Sequence, residues 1–151
     1  MKIREYHERD KDECLRIFVS NTPEFFAPHE ISEFDTFLDN PRCSYHVIEE
    51  NGVIVACGGW VLRPDRSSSL CWGMVSRSEH RRGIGAYLLH ERLHLIAADG
   101  SASCVLLETS QRSSPFFERL GFVTTRTERD GFAPGIDAVA MRLDIASRDV
   151  S

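Results

Sequence analysis

The amino-acid sequence predicts a fold of the α+β class, a mixed α/β sandwich of six or seven mostly antiparallel strands and about four helices. Two observations carry this. Between residues 44 and 76, three strand-like runs follow one another with only turns between them, which makes an antiparallel series. Between 70 and 109, one helical run separates two strands, which makes a single strand-helix-strand crossover. A doubly wound parallel sheet would need that unit to repeat, and it does not. No repeat, charge block or Pro/Ser-rich linker divides the chain, so residues 1–151 are expected to form one domain.

Taken in order, residues 2–7 predict a short first strand. Leu15, Phe18 and Val19 then fall at i, i+3, i+4, the spacing of one helical face. The two prolines of SNTPEFFAPHE (20–30) end that helix, and Ile31, Phe34, Phe37 and Leu38 line a second one. SYHVIEE and VIVACGGWVL flank Asn51-Gly52, a pair suited to the two positive φ values of a tight hairpin. LCWGMVS (70–76) is the third strand of the series. A helix runs from Gly85 to Asp99-Gly100, and SCVLLETS (103–110) predicts a strand covered on both faces. Ser114-Pro115 opens a short helix that Gly121 closes. FVTTRTE and DAVAMRLDI, joined by GFAPG, complete the sheet; Val139, Met141, Leu143 and Ile145 alternate toward a core.

Composition narrows the function. Of 151 residues, 42% are apolar, enough for a core and too many for an intrinsically disordered chain. A net charge of −5 disfavours non-specific binding to nucleic acid or anionic membrane, so neither is expected as a partner. Five cysteines without a CxxC pair argue against a disulfide framework and a zinc ribbon. MKIREYHERDKDE has no apolar stretch of the kind a signal peptide needs, and the run Val53 to Leu62 falls well short of a membrane span. A reduced, cytoplasmic protein is the expectation.

The most informative string is EHRRGIGAYLL (79–89). Gly83-Ile84-Gly85 opens a helix directly after two arginines. Glycines let backbone N–H groups turn inward, and a helix N-terminus adds a positive dipole end, so the string suits a pyrophosphate. It lacks the Gly-Lys-Ser/Thr of a Walker loop, and Leu88 stands where a dinucleotide fingerprint has its third glycine.

MVSRSEHRRGIGAYLL resembles the acetyl-CoA-binding motif of the GNAT superfamily of N-acetyltransferases, written Q/R-x-x-G-x-G/A, and SSPFFERLGF resembles that family's later helix. The order of elements matches over nearly the whole chain. The resemblance implies acetyl-CoA as cosubstrate, no metal, and a parallel strand pair splayed to hold the cofactor. It implies that Arg81, Arg82, Gly83, Ile84, Gly85, Ala86 and Tyr87 hold the pyrophosphate and that Met74 and Val75 pair with the pantetheine arm. Ser110, Ser113, Ser114, Phe116 and Phe117 would border the thiol end and adenine side. Three positions depart from the family pattern. His80 stands at the first motif position, serines and Gln111 replace an asparagine after the 103–109 strand, and Phe117 occupies the place of a tyrosine that protonates the leaving thiolate.

Amide formation needs a proton acceptor for the amine and a donor to the oxyanion. No carboxylate lies in Ser67 to Cys71, where many family members carry one. The general-base candidates are Glu108, Glu24, Glu30 and Glu33, and the backbone N–H of Val75 is the oxyanion donor the resemblance implies. Phe25 and Phe26 are candidates for walling the acceptor pocket. The acceptor would be a small-molecule or peptide amine, attacking directly in a ternary complex; homodimers are common in the family. The alternatives are a catalytically weak CoA-binding sensor and, remotely, a zinc hydrolase. The latter rests on His90-Glu91-Arg92-Leu93-His94, a literal HExxH, although both histidines fall outside the apolar arc of Leu88, Leu89, Leu93, Leu95 and Ile96.

Overall fold

The computed structural model describes residues 1–145. Its elements are β1 (Lys2–Glu5), α1 (Lys11–Ser20), α2 (Ile31–Asp39), β2 (Ser44–Glu50), β3 (Val53–Leu62), β4 (Ser67–Val75), α3 (Ile84–Asp99), β5 (Cys104–Thr109), α4 (Ser114–Arg119), β6 (Val123–Ala133) and β7 (Ile136–Asp144). The strands form one sheet in the order β1-β2-β3-β4-β5-β7-β6. Every neighbouring pair is antiparallel except β4–β5. The α+β fold and its single parallel pair are as the sequence predicts.

Alternation places a helical layer on each face. On one, Phe18 of α1 and Phe34 and Leu38 of α2 pack on Tyr45, Val47, Cys57 and Met74. On the other, Leu89 and Ile96 of α3 pack on Val105, Leu107, Val139, Met141 and Leu143, while Ile84 and Leu88 cover Ile48, Val55 and Ala56. The entry to α1 is pinned by Asp10, which accepts hydrogen bonds from Arg4 of β1 (2.8 and 3.0 Å) and from the His7 N–H. The β2–β3 turn has φ of 53° at Asn51 and 78° at Gly52, the hairpin geometry their identities predict. No helix among the described residues is long and apolar enough to cross a membrane.

Several boundaries differ from the sequence expectation, each for a physical reason. The first strand stops at Glu5. β4 begins three residues before Leu70, because Ser67 and Ser68 are buried and pair with Cys104 and Val105 despite their polarity. β6 continues through most of the expected linker to Ala133, since Gly131, having no side chain, lies flat against Ala138. β5 is covered on both faces only at its start; Glu108 is exposed.

Candidate active site

The sheet opens between its two parallel strands. β4 and β5 are paired only from Ser67–Ser69 to Cys104–Leu106. Beyond that, β4 stays paired with β3 and β5 with β7, so Leu70–Val75 and Leu107–Thr109 diverge and border a gap. Ser76 N–H donates to Val55 O on β3. Antiparallel alternation therefore turns the N–H and C=O of Val75 away from β3, toward the gap. The Val75 carbonyl is already engaged: it accepts from Asn21 Nδ2 at 2.9 Å and lies 3.0 Å from His80 Nε2. Its N–H remains the group available to a ligand.

A bulge shapes the β4 side. Trp72 and Gly73 together oppose Gly58, and Trp72 has a φ of 45°, a left-handed conformation rare for an aromatic residue. Tyr45 holds this turn by donating its hydroxyl to the Trp72 carbonyl at 2.7 Å. The Trp72 indole packs among Phe18, Phe26, Phe34 and Phe37, with ring centroids 5.0–6.5 Å apart. On the opposite face Arg92 of α3 lies against Gly58 and Gly73, where added Cβ atoms would come within 2.9–3.2 Å of its guanidinium. Arg92 is 4% exposed and donates to Gly59 O at 3.3 Å, while its Nε has no partner among the described residues. Burial without a carboxylate lowers its pKa to about 10.

The glycine loop stands at the open end of the gap. Gly83 (φ 81°) and Arg81 (φ 68°) wind the chain into α3, whose N-terminus has no side-chain cap. Tyr87 N–H makes the first helical bond, to Gly83 O, so the amides before it are the orphan donors of the helix. A Cβ placed on Gly85 would lie 3.5 Å from the Phe116 ring and 3.8 Å from Val75 Cγ2. Loop, strand end and α4 thus converge on one space. After β5, Arg112 Nη1 donates to Glu24 O (2.6 Å) and Gln111 bonds Gly135 O and Asp137 N–H (both 2.8 Å). These contacts draw the α1–α2 connection and the β6–β7 turn to the gap's border.

This geometry, a parallel pair splayed before an uncapped glycine-rich helix start, has counterparts of known family. A family model for the GNAT acetyltransferase domain matches residues 11–145. The chain belongs to the GNAT acetyltransferase family. It is therefore an acyltransferase. A GNAT-family protein from Desulfovibrio desulfuricans superposes with a TM-score of 0.81 at 22% identity, covering 96% of this chain and 99% of that one. The Escherichia coli ribosomal-protein-S18-alanine N-acetyltransferase gives 0.79 at 20% identity, covering 96% and 94%. An aminoglycoside 6'-N-acetyltransferase complexed with coenzyme A gives 0.78 at 16%, covering 96% and 97%. At these identities the likeness to solved structures is one of fold. No curated protein matches the sequence.

Within this GNAT domain the candidate residues separate. Gly83, Ile84, Gly85, Ala86 and Tyr87 form the loop and first turn as expected. Arg81 is exposed, whereas Arg82 is turned to Glu50 and Glu79, at 2.9 and 3.1 Å. Met74 buries its side chain under α1. Ser110 and Ser114 are buried, and Ser113 is half-buried. Phe116 and Phe117 pack edge to face, and Phe117 packs again on Phe122, so this ring is part of the α3-side core. Glu108 is exposed on the gap-lining part of β5. Glu24 is ion-paired to Arg77 at 2.5 Å, Glu30 accepts the Ala27 N–H, and Glu33 is exposed on α2. Phe26 stacks on Phe18 at 4.9 Å, and Phe25 lies between His80 and the Arg77 guanidinium.

His90 and His94 are exposed, and among the described residues no group of three or more His, Cys, Asp or Glu is arranged to hold a metal. Sequence reasoning missed Asn21, Tyr45, Trp72 and Arg92. Only Arg92 carried a readable signal, its i+4 spacing from Leu88 and i−4 from Ile96.

Proposed function

We propose that this enzyme transfers an acetyl group from acetyl-CoA to a primary amine by direct attack within a ternary complex. The observation that carries the reading is the gap between β4 and β5, which ends at the uncapped start of α3. The fit to CoA is good there: orphan backbone amides and exposed Arg81 suit a pyrophosphate, and a bare Gly85 leaves room beside Val75 and Phe116. When bound, acetyl-CoA supplies an activated acyl thioester. Val75 N–H donates to the thioester oxygen as charge develops on it. Glu108 accepts the proton that the amine must lose. Ser110, Ser113, Ser114, Phe116 and Phe117 border the pantetheine end. Phe117 has no proton to give, so the thiolate leaves to solvent.

The acceptor enters from the α1–α2 side, past Phe25, Phe26 and the Trp72 bulge. The known substrates of the structural neighbours include aminoglycosides and a ribosomal protein's alanine, so a small-molecule or peptide amine is the substrate class we infer. A cytoplasmic setting fits five cysteines that are all unpaired.

Thermal unfolding with and without acetyl-CoA, in EDTA, tests the binding step. Ligand at one hundred times its Kd adds about 2.7 kcal/mol, a rise of about 5–10 °C for a domain of this size. Gly85→Trp, which fills the space beside Val75 and Phe116, abolishes the rise. A panel of amines with detection of released thiol tests transfer. No thermal shift overturns the reading; a shift without turnover on any amine leaves a CoA-binding module.

A further inference from the structure

Two thiols that acetyl transfer does not use face each other on the α1–α2 side of the sheet. Cys43, between α2 and β2, and Cys71, in β4, bring their Sγ atoms to 3.4 Å. Both are half-buried, whereas Cys14, Cys57 and Cys104 are buried at 0–3% exposure. Tyr45 opposes Gly59 and Gly59 opposes Cys71, so Cys71 and the start of β2 share a face of the sheet with only a glycine between them. A Cβ there would collide with Ser44 O at 2.5 Å, which shows how closely the start of β2 folds over β3. Cys43 also lines an open groove of about 350 Å³ with Glu5, Tyr6, Pro41, Ser44 and Tyr45, giving a small solute a path to this thiol.

We propose that Cys43 and Cys71 form a peroxide-oxidisable pair that closes to an intramolecular disulfide. One of the two sulfurs attacks one oxygen of hydrogen peroxide; the O–O bond breaks, a sulfenic acid forms and one water leaves. The other sulfur then attacks the oxidised one, the S–O bond breaks, and the hydroxyl departs with the attacking thiol's proton as a second water. Two thiols are oxidised by two electrons and one peroxide is reduced. Bond formation closes the sulfurs from 3.4 Å to about 2 Å and, because β3 lies between the start of β2 and β4, draws the Cys43 backbone toward Cys71.

The Cys71 thiol is held below the ordinary range by its hydrogen bond with Cys43 and by the positive charge of Arg92, against the opposing effect of burial. Arg92 reaches this part of the sheet because Gly58 and Gly73 place no side chain in its way. The bond would fasten the segment after α2 to the residue preceding Trp72, whose ring packs at a tilt against Phe34 and Phe37 of α2. Oxidation therefore acts on the acceptor wall and leaves the glycine loop untouched.

The test uses the intact protein and needs no acetyl-transfer activity. A few equivalents of hydrogen peroxide, alkylation of remaining thiols and tryptic digestion should yield fragments 43–66 and 67–77 joined through Cys43 and Cys71, with two hydrogens lost per chain. Cys43→Ser and Cys71→Ser should each lose this product, and Cys57→Ser should keep it. A bond through Cys57, a cross-link between chains, or sulfinic acid at Cys43 or Cys71 with no disulfide would each overturn the proposal.

Discussion

Glu108 is separated from Glu24 and Glu30 by what surrounds it, and from Glu33, which is exposed on α2, by its place beside the gap. It sits on β5 past the last residue paired with β4, exposed, with no salt-bridge partner among the described residues. Glu24 is neutralised by Arg77, and Glu30 is occupied by the Ala27 N–H. A carboxylate that must take a proton from an amine needs free lone pairs facing the substrate. Glu108→Gln is therefore expected to lower kcat about 10²–10⁴-fold while leaving the acetyl-CoA thermal shift unchanged. Glu33→Gln should keep a rate near wild type. Steady-state thiol release with the best amine of a panel reads both. The same residue marks the limit of sequence reasoning at this scale. Glu108 could be named as one of four candidates, but its freedom from partners is a property of neighbours distant in the chain.

At the scale of elements, the seat of α3 on the sheet depends on two glycines and one arginine, and the closure of β2 on a third glycine. Gly58 and Gly73 give Arg92 its place, and Gly59 lets the start of β2 close over β3. Gly73→Ala should destabilise the fold by about 1–3 kcal/mol through overpacking. In an Arg92→Ala background the same change should cost much less, because the colliding guanidinium is gone. Urea unfolding of the four proteins measures the coupling; additive effects would mean that the clash is relieved elsewhere. Elements with a strong local signal were legible in the sequence: Asn51-Gly52 for the hairpin, Pro115 and Gly121 for α4, Gly83-Ile84-Gly85 for the phosphate-loop turn. The start of β4 was hidden behind serines that are polar by composition and buried by partnership with β5. The bulge was hidden too, since Trp72 is a good strand residue and its positive φ is imposed by Tyr45 and the aromatic cluster around it.

At the scale of the molecule, the outer layer of α1 and α2 is joined to the sheet edge by an ionic anchor. Arg4 of β1 holds Asp10 with two hydrogen bonds and Glu49 of β2 with one. Burial alone would raise the Asp10 carboxyl, but the hydrogen bonds from Arg4 and the His7 N–H win and hold it below its ordinary value. A carboxyl lowered on folding stabilises above its unfolded pKa, and that contribution disappears as the pH falls through the folded one. Stability should therefore decline below about pH 4, and Asp10→Asn should be less stable at neutral pH with a shallower acid decline. Thermal melts from neutral pH to pH 3 read the difference.

The splay of β4 from β5 has a further consequence. An ordinary sheet has edges only at its margins, here β1 and β6. This one also has two in its middle, each a row of backbone groups of the kind that recruits foreign strands and seeds aggregation. The protection is one of shape: the two edges converge on a three-residue seam, so another chain's strand can enter only part of the way, whereas a slender extended molecule can follow both edges inward.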